Sequence, residues 1–306
     1  MTIDEARLTI TSAIQTIYDG DEANNIAALL IEHITNLPLT ERIMKKNDVL
    51  PSKQEVLLKQ SVMRLREHEP IQYVINEAWF AGMKFYVDKH VLIPRPETEE
   101  LVDWIVSDWR LDNNKGTIGK RQEASFKSQS RWHSGNSKLL DVGTGSGCIA
   151  IALKVALPNI EMWACDVSDE ALNVARLNAD SLHATIDFVP MNFLDADERK
   201  QLPRVDLLVS NPPYVPQREN AEIKKNVNEF EPPPALFVPD DDVMIFYKAI
   251  ADFGREKLND EGCIYVEIHE SFGPEVKKVF QCNGYSTVEL RKDLQGKDRM
   301  VKVTLP

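Results

Sequence analysis

The chain has 306 residues, of which 43% are hydrophobic and 27% are charged, an ordinary composition for a packed globular protein. Its net charge of -12 argues against a broad cationic surface for phosphate binding, so direct binding to nucleic acid is not expected. The four cysteines have no CxxC spacing, which argues against a zinc site or a disulfide framework and favours buried, reduced thiols.

The N-terminal sequence does not have the pattern of an export signal. MTIDEARLTITSAIQ is acidic from its fourth residue and lacks the basic start and apolar run of a signal peptide. No apolar stretch elsewhere is long enough to span a bilayer. We therefore expect a cytoplasmic protein with no membrane partner.

Residues 1–72 predict a small helical domain. Apolar residues recur at helical spacing, as at Ile10 and Ile14. Two helix starts have the pattern of a capping box, in which a hydroxyl and a carboxylate three residues apart bond to each other's backbone N–H groups. These are Thr2 with Glu5, and Ser52 with Glu55. Both pairs predict a helix that begins at the hydroxyl residue.

Residues 73–95 predict a β-hairpin that links the helical domain to a second domain at 96–306. Aromatic and β-branched residues surround Gly82 in this segment, as expected for two strands and a turn. An amphipathic helix with Leu101 and Trp104 then opens the second domain. Residues 111–137 are polar and include basic side chains, so they predict a surface insertion, with substrate docking as the alternative.

From residue 138 onwards, apolar strands alternate with helices. The strands are predicted at KLLDVG, EMWACDV, IDFVPM, VDLLVS, IYVEI and RMVKVTLP. This alternation is typical of an α/β fold with a doubly wound, mostly parallel, Rossmann-like sheet, which binds its ligands at the carboxyl ends of the strands.

A glycine-rich loop follows the first of these strands. Its sequence, DVGTGSG over residues 141–147, opens a helix, where glycine lets a ligand approach the backbone closely. The spacing is GxGxG and differs from the GxGxxG of dinucleotide sites. A nucleotide-type cofactor is therefore predicted here, and a tight turn without a ligand is the alternative.

Asp166 ends the next predicted strand, where a carboxylate can accept both hydroxyls of an adenosine ribose. The alternative is a helix cap. Because Ser168 is itself placed to cap the following helix, the ribose role is favoured for Asp166.

The sequence Asn211-Pro212-Pro213-Tyr214 follows the strand VDLLVS, at the same sheet edge as the glycine loop. Two successive prolines make a rigid turn, and the Pro212 carbonyl is not used in the main-chain hydrogen bonds of a helix or sheet. The Asn211 side chain offers a second acceptor oxygen. Such a turn can bind an NH2 group, and its alternative is a purely structural proline turn. Accepting hydrogen bonds from both N–H groups favours a pyramidal nitrogen whose electron density points away from the acceptor oxygens.

These segments resemble the peptide chain release factor N5-glutamine methyltransferase family over nearly the full chain. The similarity includes DVGTGSGCIA and NPPYV, and it extends to EPIQYV, WFAGMKFYV, VLIPRPETEELV, EPPPAL and KDLQGKDRMV. The resemblance implies a Rossmann-like class I methyltransferase domain, S-adenosylmethionine as the methyl donor, and the glutamine of a release factor's GGQ loop as the acceptor.

The resemblance also implies roles for individual residues. Asn211 and Pro212 would hold the glutamine amide and form the catalytic pair, while Phe193 would lie beside the adenine. Pro213, Tyr214 and Phe80 would contact the substrate. The residues implied in cofactor binding are Asp141, Gly143, Thr144, Gly145, Gly147, Asp166, Phe193 and Asn211. Arg95, Glu97 and Glu99 fall where the family builds its substrate entrance, and each has packing or a loop salt bridge as its alternative.

Three other functions remain open from the sequence. A ribosomal-protein glutamine methyltransferase uses the same chemistry, but it is expected to differ at PRPETE, which is intact here. A nucleic-acid adenine N6-methyltransferase could use NPPY on an exocyclic amine, although it would need a basic cleft. A non-catalytic binding module on the same fold is the third, since a fold alone does not prove activity.

Overall fold

The structure is a computed structural model that describes residues 1–118, 137–222 and 225–305, without the side chains of 112–118 and 222. It divides into two compact units, Met1–Glu77 with Ile223–Phe230, and Ala78–Glu222 with Glu231–Pro306. The boundary between the units falls at residues 77 and 78, within the segment that the sequence predicted as a linker at 73–95. Most of the predicted insertion at 111–137 lies outside the described residues.

The first unit is helical. Its helix α1 begins with the predicted capping box, because the Thr2 hydroxyl accepts from Glu5 N–H and the Glu5 carboxylate accepts from Thr2 N–H. A core of buried aliphatic side chains, among them Ile10, Ile14 and Leu30, holds the helices together. The helices are α1 (Ile3–Ile14), α2 (Gly20–Thr35), α3 (Leu39–Met44), α4 (Ser52–Arg66) and α5 (Ile71–Ile75).

The capping box predicted at Ser52 is wrong. Helix α4 begins at Ser52, and Pro51 occupies the cap position without a side-chain hydrogen bond. The Pro51 carbonyl accepts from Glu55 N–H over 3.1 Å, while the Glu55 carboxylate pairs with the amino group of Met1. The fixed φ of proline suits this position, and the charged amino group takes the carboxylate that a capping box would need.

The second unit starts with a hairpin and continues into a layered α/β domain. The hairpin strands are β1 (Glu77–Phe80) and β2 (Met83–Tyr86), and helix α6 (Pro96–Ile118) follows. This helix continues into the segment predicted as an insertion. The remaining strands are β3 (Lys138–Val142), β4 (Glu161–Asp166), β5 (Asp187–Pro190), β6 (Val205–Ser210), β7 (Val215–Pro216), β8 (Phe237–Val238), β9 (Leu258–Glu267), β10 (Thr287–Lys292) and β11 (Asp298–Thr304).

Seven strands form one sheet in the order β10-β11-β9-β6-β3-β4-β5. Strands β5, β4, β3, β6 and β9 are parallel, whereas β11 and β10 are antiparallel to their neighbours. The predicted doubly wound, mostly parallel sheet is therefore confirmed. The other helices are α7 (Cys148–Ala156), α8 (Asp169–Ser181), α9 (Ala196–Arg199), α10 (Lys225–Asn228, grouped with the first unit), α11 (Ile245–Lys257) and α12 (Gly273–Cys282).

The central strands are buried on both faces. Successive residues of β3 point into different cores, because Leu139 packs with α6 and α7 while Leu140 packs with α11 and α12. This explains why the strand sequence is continuously apolar rather than alternating. Helices on both faces leave only the strand ends open for a ligand.

Three of the four cysteines are buried. Cys148, Cys165 and Cys263 are buried free thiols, as predicted, but Cys282 at the end of α12 is exposed. Among the residues that the structure describes, no helix has both the length and the apolar character needed to cross a membrane.

Candidate active site

A pocket opens at the carboxyl ends of the neighbouring strands β3, β4 and β6. It encloses about 980 Å³, part of it open to solvent. Eight of the predicted site residues line it, namely Gly143, Thr144, Gly145, Asp166, Phe193, Asn211, Pro212 and Pro213. The four that do not line it are Asp141, Gly147, Tyr214 and Phe80. The structure therefore brings eight of the predicted residues together in one pocket and places these four outside its lining.

The glycines after β3 serve two different purposes. Gly143 and Gly145 have φ of 72° and 53°, and a Cβ added to either would meet no atom within 4 Å. Their backbone is therefore open towards the pocket. Gly147 also has a positive φ, of 81°, but a Cβ there would meet Ile151 Cδ1 at 3.0 Å and Ala175 Cβ at 3.2 Å. Glycine at 147 is needed for packing between α7 and α8.

Asp141 lies beneath the glycine loop and is fully buried. Its Oδ2 accepts from the Thr144 hydroxyl over 2.7 Å, so the side chain holds the loop in place. Its Oδ1 has no hydrogen-bond partner among the described residues. Burial raises the pKa of this carboxyl to about 7, although the hydroxyl of Thr144 acts in the opposite direction.

Asp166 ends β4 and lines the pocket next to the glycine loop. Its carboxylate accepts from the backbone N–H of Gly145 over 2.9 Å and from that of Ser168 over 3.0 Å. Burial raises the pKa of Asp166, and these backbone donors partly offset the rise. Ser168 caps α8 through its own hydroxyl, which accepts from Ala171 N–H, so Asp166 is not the cap of that helix.

Phe193 contributes an aromatic surface to the pocket beyond the end of β5. Its ring packs against Phe253 with centroids 5.4 Å apart, and the Arg199 guanidinium lies 5.4 Å from its centroid. The neighbouring Asn192 N–H donates to Glu198 over 2.6 Å. This surface can accept a flat heteroaromatic group such as adenine.

The NPPY turn follows β6 directly, next to the glycine loop. Asn211, Pro212 and Pro213 line the pocket, and the Asn211 Nδ2–H donates to the Thr98 hydroxyl oxygen over 3.1 Å. This hydrogen bond uses the NH2 side of the Asn211 amide and leaves Oδ1 as its acceptor atom. Tyr214 is placed differently from the prediction. Its ring lies edge-on to His269 with centroids 6.0 Å apart, and it does not line the pocket.

A buried carboxylate, Glu267, lies behind the turn at the end of β9. Its Oε2 accepts from the Thr98 hydroxyl over 2.7 Å, and its Oε1 accepts from the Tyr214 hydroxyl over 3.1 Å. Burial raises the pKa of Glu267, while these two donors and the charge of Arg299 act in the opposite direction. Neither Thr98 nor Glu267 was predicted from the sequence. An acidic residue within the apolar strand IYVEI was the signal available for Glu267.

The pocket wall also contains an ion pair. Arg95 lines the pocket, and its guanidinium donates to Glu231 over 2.7 Å. Glu231 is buried, and its second oxygen accepts from Ile93 N–H over 3.3 Å. The pair joins the VLIPRPETE segment to EPPPAL, two of the segments that carry the family resemblance. Arg95 was named as a candidate at the entrance, whereas Glu231 was missed.

Asn178 on α8 connects the hairpin to the glycine loop. Its side-chain oxygen accepts from Tyr86 N–H over 2.7 Å, and its NH2 group donates to the carbonyls of Tyr86 and Ser146, each over 2.9 Å. The side chain is fully buried. All of its hydrogen-bonding groups except one lone pair are therefore used to hold β2 against the loop.

Phe80, which is predicted to contact the substrate, does not line the pocket. It is fully buried and packs edge-on to Phe85, with ring centroids 6.1 Å apart. The adjacent Trp79 is 61% exposed instead. Successive side chains of a strand point to opposite faces, and here Phe80 faces the core while Trp79 faces solvent.

Comparison with known proteins gives matches over both units. The methyltransferase small domain family matches residues 128–229, and the PrmC N-terminal domain family matches residues 5–75. A release factor glutamine methyltransferase from Flavobacterium psychrophilum is 37% identical over 99% of each chain. The enzyme of the same name from Bacteroides thetaiotaomicron is 37% identical over 95% of this chain and 96% of its own.

The fold is also found among solved structures. The catalytic domain of hMettl16, solved with the MAT2A 3'UTR hairpin 6, aligns over 84% of this chain and 85% of its own with a TM-score of 0.52. Its sequence identity is only 15%, so this similarity concerns the fold alone.

Proposed function

Because the chain belongs to the release factor glutamine methyltransferase family, we propose that it transfers a methyl group from S-adenosylmethionine to the side-chain nitrogen of a glutamine. The proposed acceptor is the glutamine in the GGQ loop of a peptide chain release factor. One observation carries the proposal. The glycine loop and the Asn211-Pro212 turn line the same pocket, from the ends of two adjacent parallel strands.

The residues of the pocket fit this cofactor. Gly143 and Gly145 leave the backbone open for close approach, and Asp166 offers a carboxylate to two ribose hydroxyls. Phe193 offers a ring surface to the adenine. Asp141 would not contact the cofactor and would instead hold the glycine loop in place through its hydrogen bond with Thr144. S-adenosylmethionine would supply a methyl group on a positively charged sulfur. When a neutral nitrogen takes this methyl group, the C–S bond breaks, a neutral thioether leaves, and the nitrogen loses one N–H proton to solvent.

The NPPY turn would prepare the acceptor nitrogen. An amide nitrogen is a weak nucleophile because its lone pair is delocalised into the carbonyl group. Asn211 Oδ1 and the Pro212 carbonyl would accept hydrogen bonds from its two N–H groups. This arrangement favours a pyramidal nitrogen whose electron density is directed away from these oxygens. Holding the nitrogen in line with the methyl group makes the displacement effectively unimolecular, a gain of about 7–11 kcal/mol at best.

We assign substrate recognition to the helical segment 1–72, in addition to the pocket. The match to the PrmC N-terminal domain supports this assignment, since it covers residues 5–75. Translation termination takes place in the cytoplasm, so this substrate also places the proposed reaction there.

The test is transfer of a labelled methyl group from S-adenosylmethionine to purified release factor. A release factor with Gln→Ala in its GGQ loop serves as the matched control, and ribosomal protein and DNA are offered in parallel. We expect label on the intact release factor alone.

The other outcomes point to different functions. Label on ribosomal protein or DNA would overturn the proposed substrate and retain the methyl-transfer chemistry. Cofactor binding without label on any of the four would favour the non-catalytic binding module.

A further inference from the structure

Both polar side chains of the NPPY turn are connected to the same buried carboxylate. Asn211 donates to Thr98, Thr98 donates to Glu267, and Tyr214 donates to the other oxygen of Glu267. The three hydrogen bonds measure 3.1, 2.7 and 3.1 Å. They come from the turn after β6, from α6 and from β9, which are distant in the sequence.

The direction of these hydrogen bonds is determined by Glu267. Its two oxygens accept from the Thr98 and Tyr214 hydroxyls, so the Thr98 hydroxyl uses its single proton towards Glu267. The Thr98 oxygen is then left as an acceptor, and it can bond only to the NH2 side of the Asn211 amide. That choice turns Asn211 Oδ1 towards the pocket. Thr98 is 2% exposed and Glu267 is 1% exposed, so solvent does not compete for these bonds.

We propose that Thr98 and Glu267 are positioning residues that fix which end of the Asn211 amide faces the methyl acceptor. This inference rests on the proposed function, because it requires Asn211 to accept from the substrate nitrogen. If the Asn211 amide were inverted, its NH2 group would face the N–H groups of the substrate amide. The substrate nitrogen would then lose one of its two hydrogen-bond acceptors. The amide of asparagine has nearly the same shape in both orientations, so packing alone selects weakly between them.

Replacement of either residue should therefore lower turnover without weakening cofactor binding. Thr98→Val keeps the β-branched shape and removes the hydroxyl, while Thr98→Ser keeps the hydroxyl. We expect kcat to fall at least about tenfold in Thr98→Val and to stay within about threefold of wild type in Thr98→Ser. Thr304→Val, a buried threonine of β11 outside the pocket, is the control for the loss of a hydroxyl in the same unit.

Glu267→Leu removes both acceptor oxygens at similar size. The Thr98 hydroxyl then has no buried acceptor that fixes its proton, so kcat should again fall at least about tenfold. If the two residues act through one chain of hydrogen bonds, Thr98→Val with Glu267→Leu should be no slower than the slower single variant. Independent roles would instead multiply the two losses, to about 100-fold.

The measurements are kcat and KM for methyl transfer, the dissociation constant for S-adenosylmethionine by calorimetry, and the melting temperature of each variant. A loss of kcat with an unchanged cofactor dissociation constant, rescued in Thr98→Ser, is the expected result. Wild-type kcat in Thr98→Val, equal losses in Thr98→Ser and Thr98→Val, or multiplied losses in the double variant would overturn the inference.

A crystal structure of Thr98→Val tests the inference independently of activity. We expect the Asn211 side chain to rotate or to become disordered when its fixed partner is removed. An Asn211 side chain that keeps its position and hydrogen-bonding environment would overturn the positioning role. Failure of the wild-type enzyme to methylate any substrate would contradict only the proposed function, and this structural result would still decide the inference.

Discussion

The backbone N–H of Gly145 donates to the carboxylate of Asp166 over 2.9 Å, which joins the tip of the glycine loop to the end of the neighbouring strand. The same carboxylate accepts from Ser168 N–H. Asp166 thus has two backbone donors that fix its orientation, and it keeps lone pairs for a ligand in the pocket. A carboxylate held in this way does not have to be reoriented when a ribose binds.

We expect Asp166→Ala to weaken binding of S-adenosylmethionine by about 10- to 100-fold, the usual range for the loss of hydrogen bonds to a charged group. Isothermal titration calorimetry would measure the change. Asp169→Asn, at an exposed position in the first turn of α8, is the matched control and should bind normally. An unchanged affinity in Asp166→Ala would remove Asp166 from the cofactor site.

Asn211→Ala should affect turnover and leave the cofactor in place. Loss of one acceptor for the substrate nitrogen should lower kcat by about 10²- to 10³-fold, while the dissociation constant for S-adenosylmethionine stays within about threefold. Single-turnover methyl transfer and calorimetry measure the two quantities. Asn173→Ala, on the exposed face of α8, should match wild type in both. A large loss of cofactor affinity in Asn211→Ala would contradict the assignment to the substrate.

The pKa of Asp141 predicts a pH dependence of stability. Burial raises this pKa from 3.8 to about 7, so the folded protein holds a proton that the unfolded chain releases. The resulting stabilisation is complete below pH of about 4 and is lost as the pH rises towards 7. At about 1.4 kcal/mol per pKa unit, the loss is on the order of 4 kcal/mol.

Denaturant unfolding of wild type and Asp141→Asn between pH 4 and pH 8 would measure this dependence. The asparagine variant cannot ionise, so its free energy of unfolding should fall less over this range. Equal pH dependence in the two proteins would show that Asp141 is already ionised in the folded state.

Gly254 in α11 should be sensitive to the addition of a single methyl group. A Cβ there would collide with the Tyr285 hydroxyl and lie 2.6 Å from Ile264 Cδ1. The Tyr285 hydroxyl also donates to the Ala251 carbonyl over 2.9 Å, and that hydrogen bond would be displaced. We expect Gly254→Ala to lower the free energy of unfolding by about 1–3 kcal/mol.

Gly20→Ala is the matched control, since a Cβ at Gly20 meets no atom within 4 Å. Denaturant unfolding of both variants separates the cost of the collision from the general effect of replacing glycine. Comparable stabilities in the two variants would mean that the contacts around Gly254 adjust freely.

The parts of the site that are encoded in short segments were predictable from the sequence. The glycine loop and the NPPY turn each follow an apolar strand, and parallel strands bring their carboxyl ends to one edge of the sheet. The alternation of strands and helices is therefore enough to predict that Gly143, Gly145 and Asn211 lie together.

The hydrogen-bonded support of the site could not be predicted in the same way. Thr98 and Asn211 are 113 positions apart, and no local sequence pattern at either position indicates that they form a hydrogen bond.

In the hairpin, the sequence does not show which side chains are buried. Two adjacent aromatics, Trp79 and Phe80, fit either face of a strand equally well, and only packing against Phe85 decides that Phe80 is the buried one.

The pairing of Val142 with Ser210 has a consequence for the spacing between the glycine loop and the NPPY turn. These residues end β3 and β6, so the glycine loop and the NPPY turn leave the sheet side by side, about 4.8 Å apart. Main-chain hydrogen bonds fix that spacing, and the Ser210 hydroxyl adds one more by donating to the Val142 carbonyl over 2.7 Å. Side-chain replacements within either strand leave this spacing unchanged. An inserted residue that shifts the strand register would separate the two loops while each kept its own sequence.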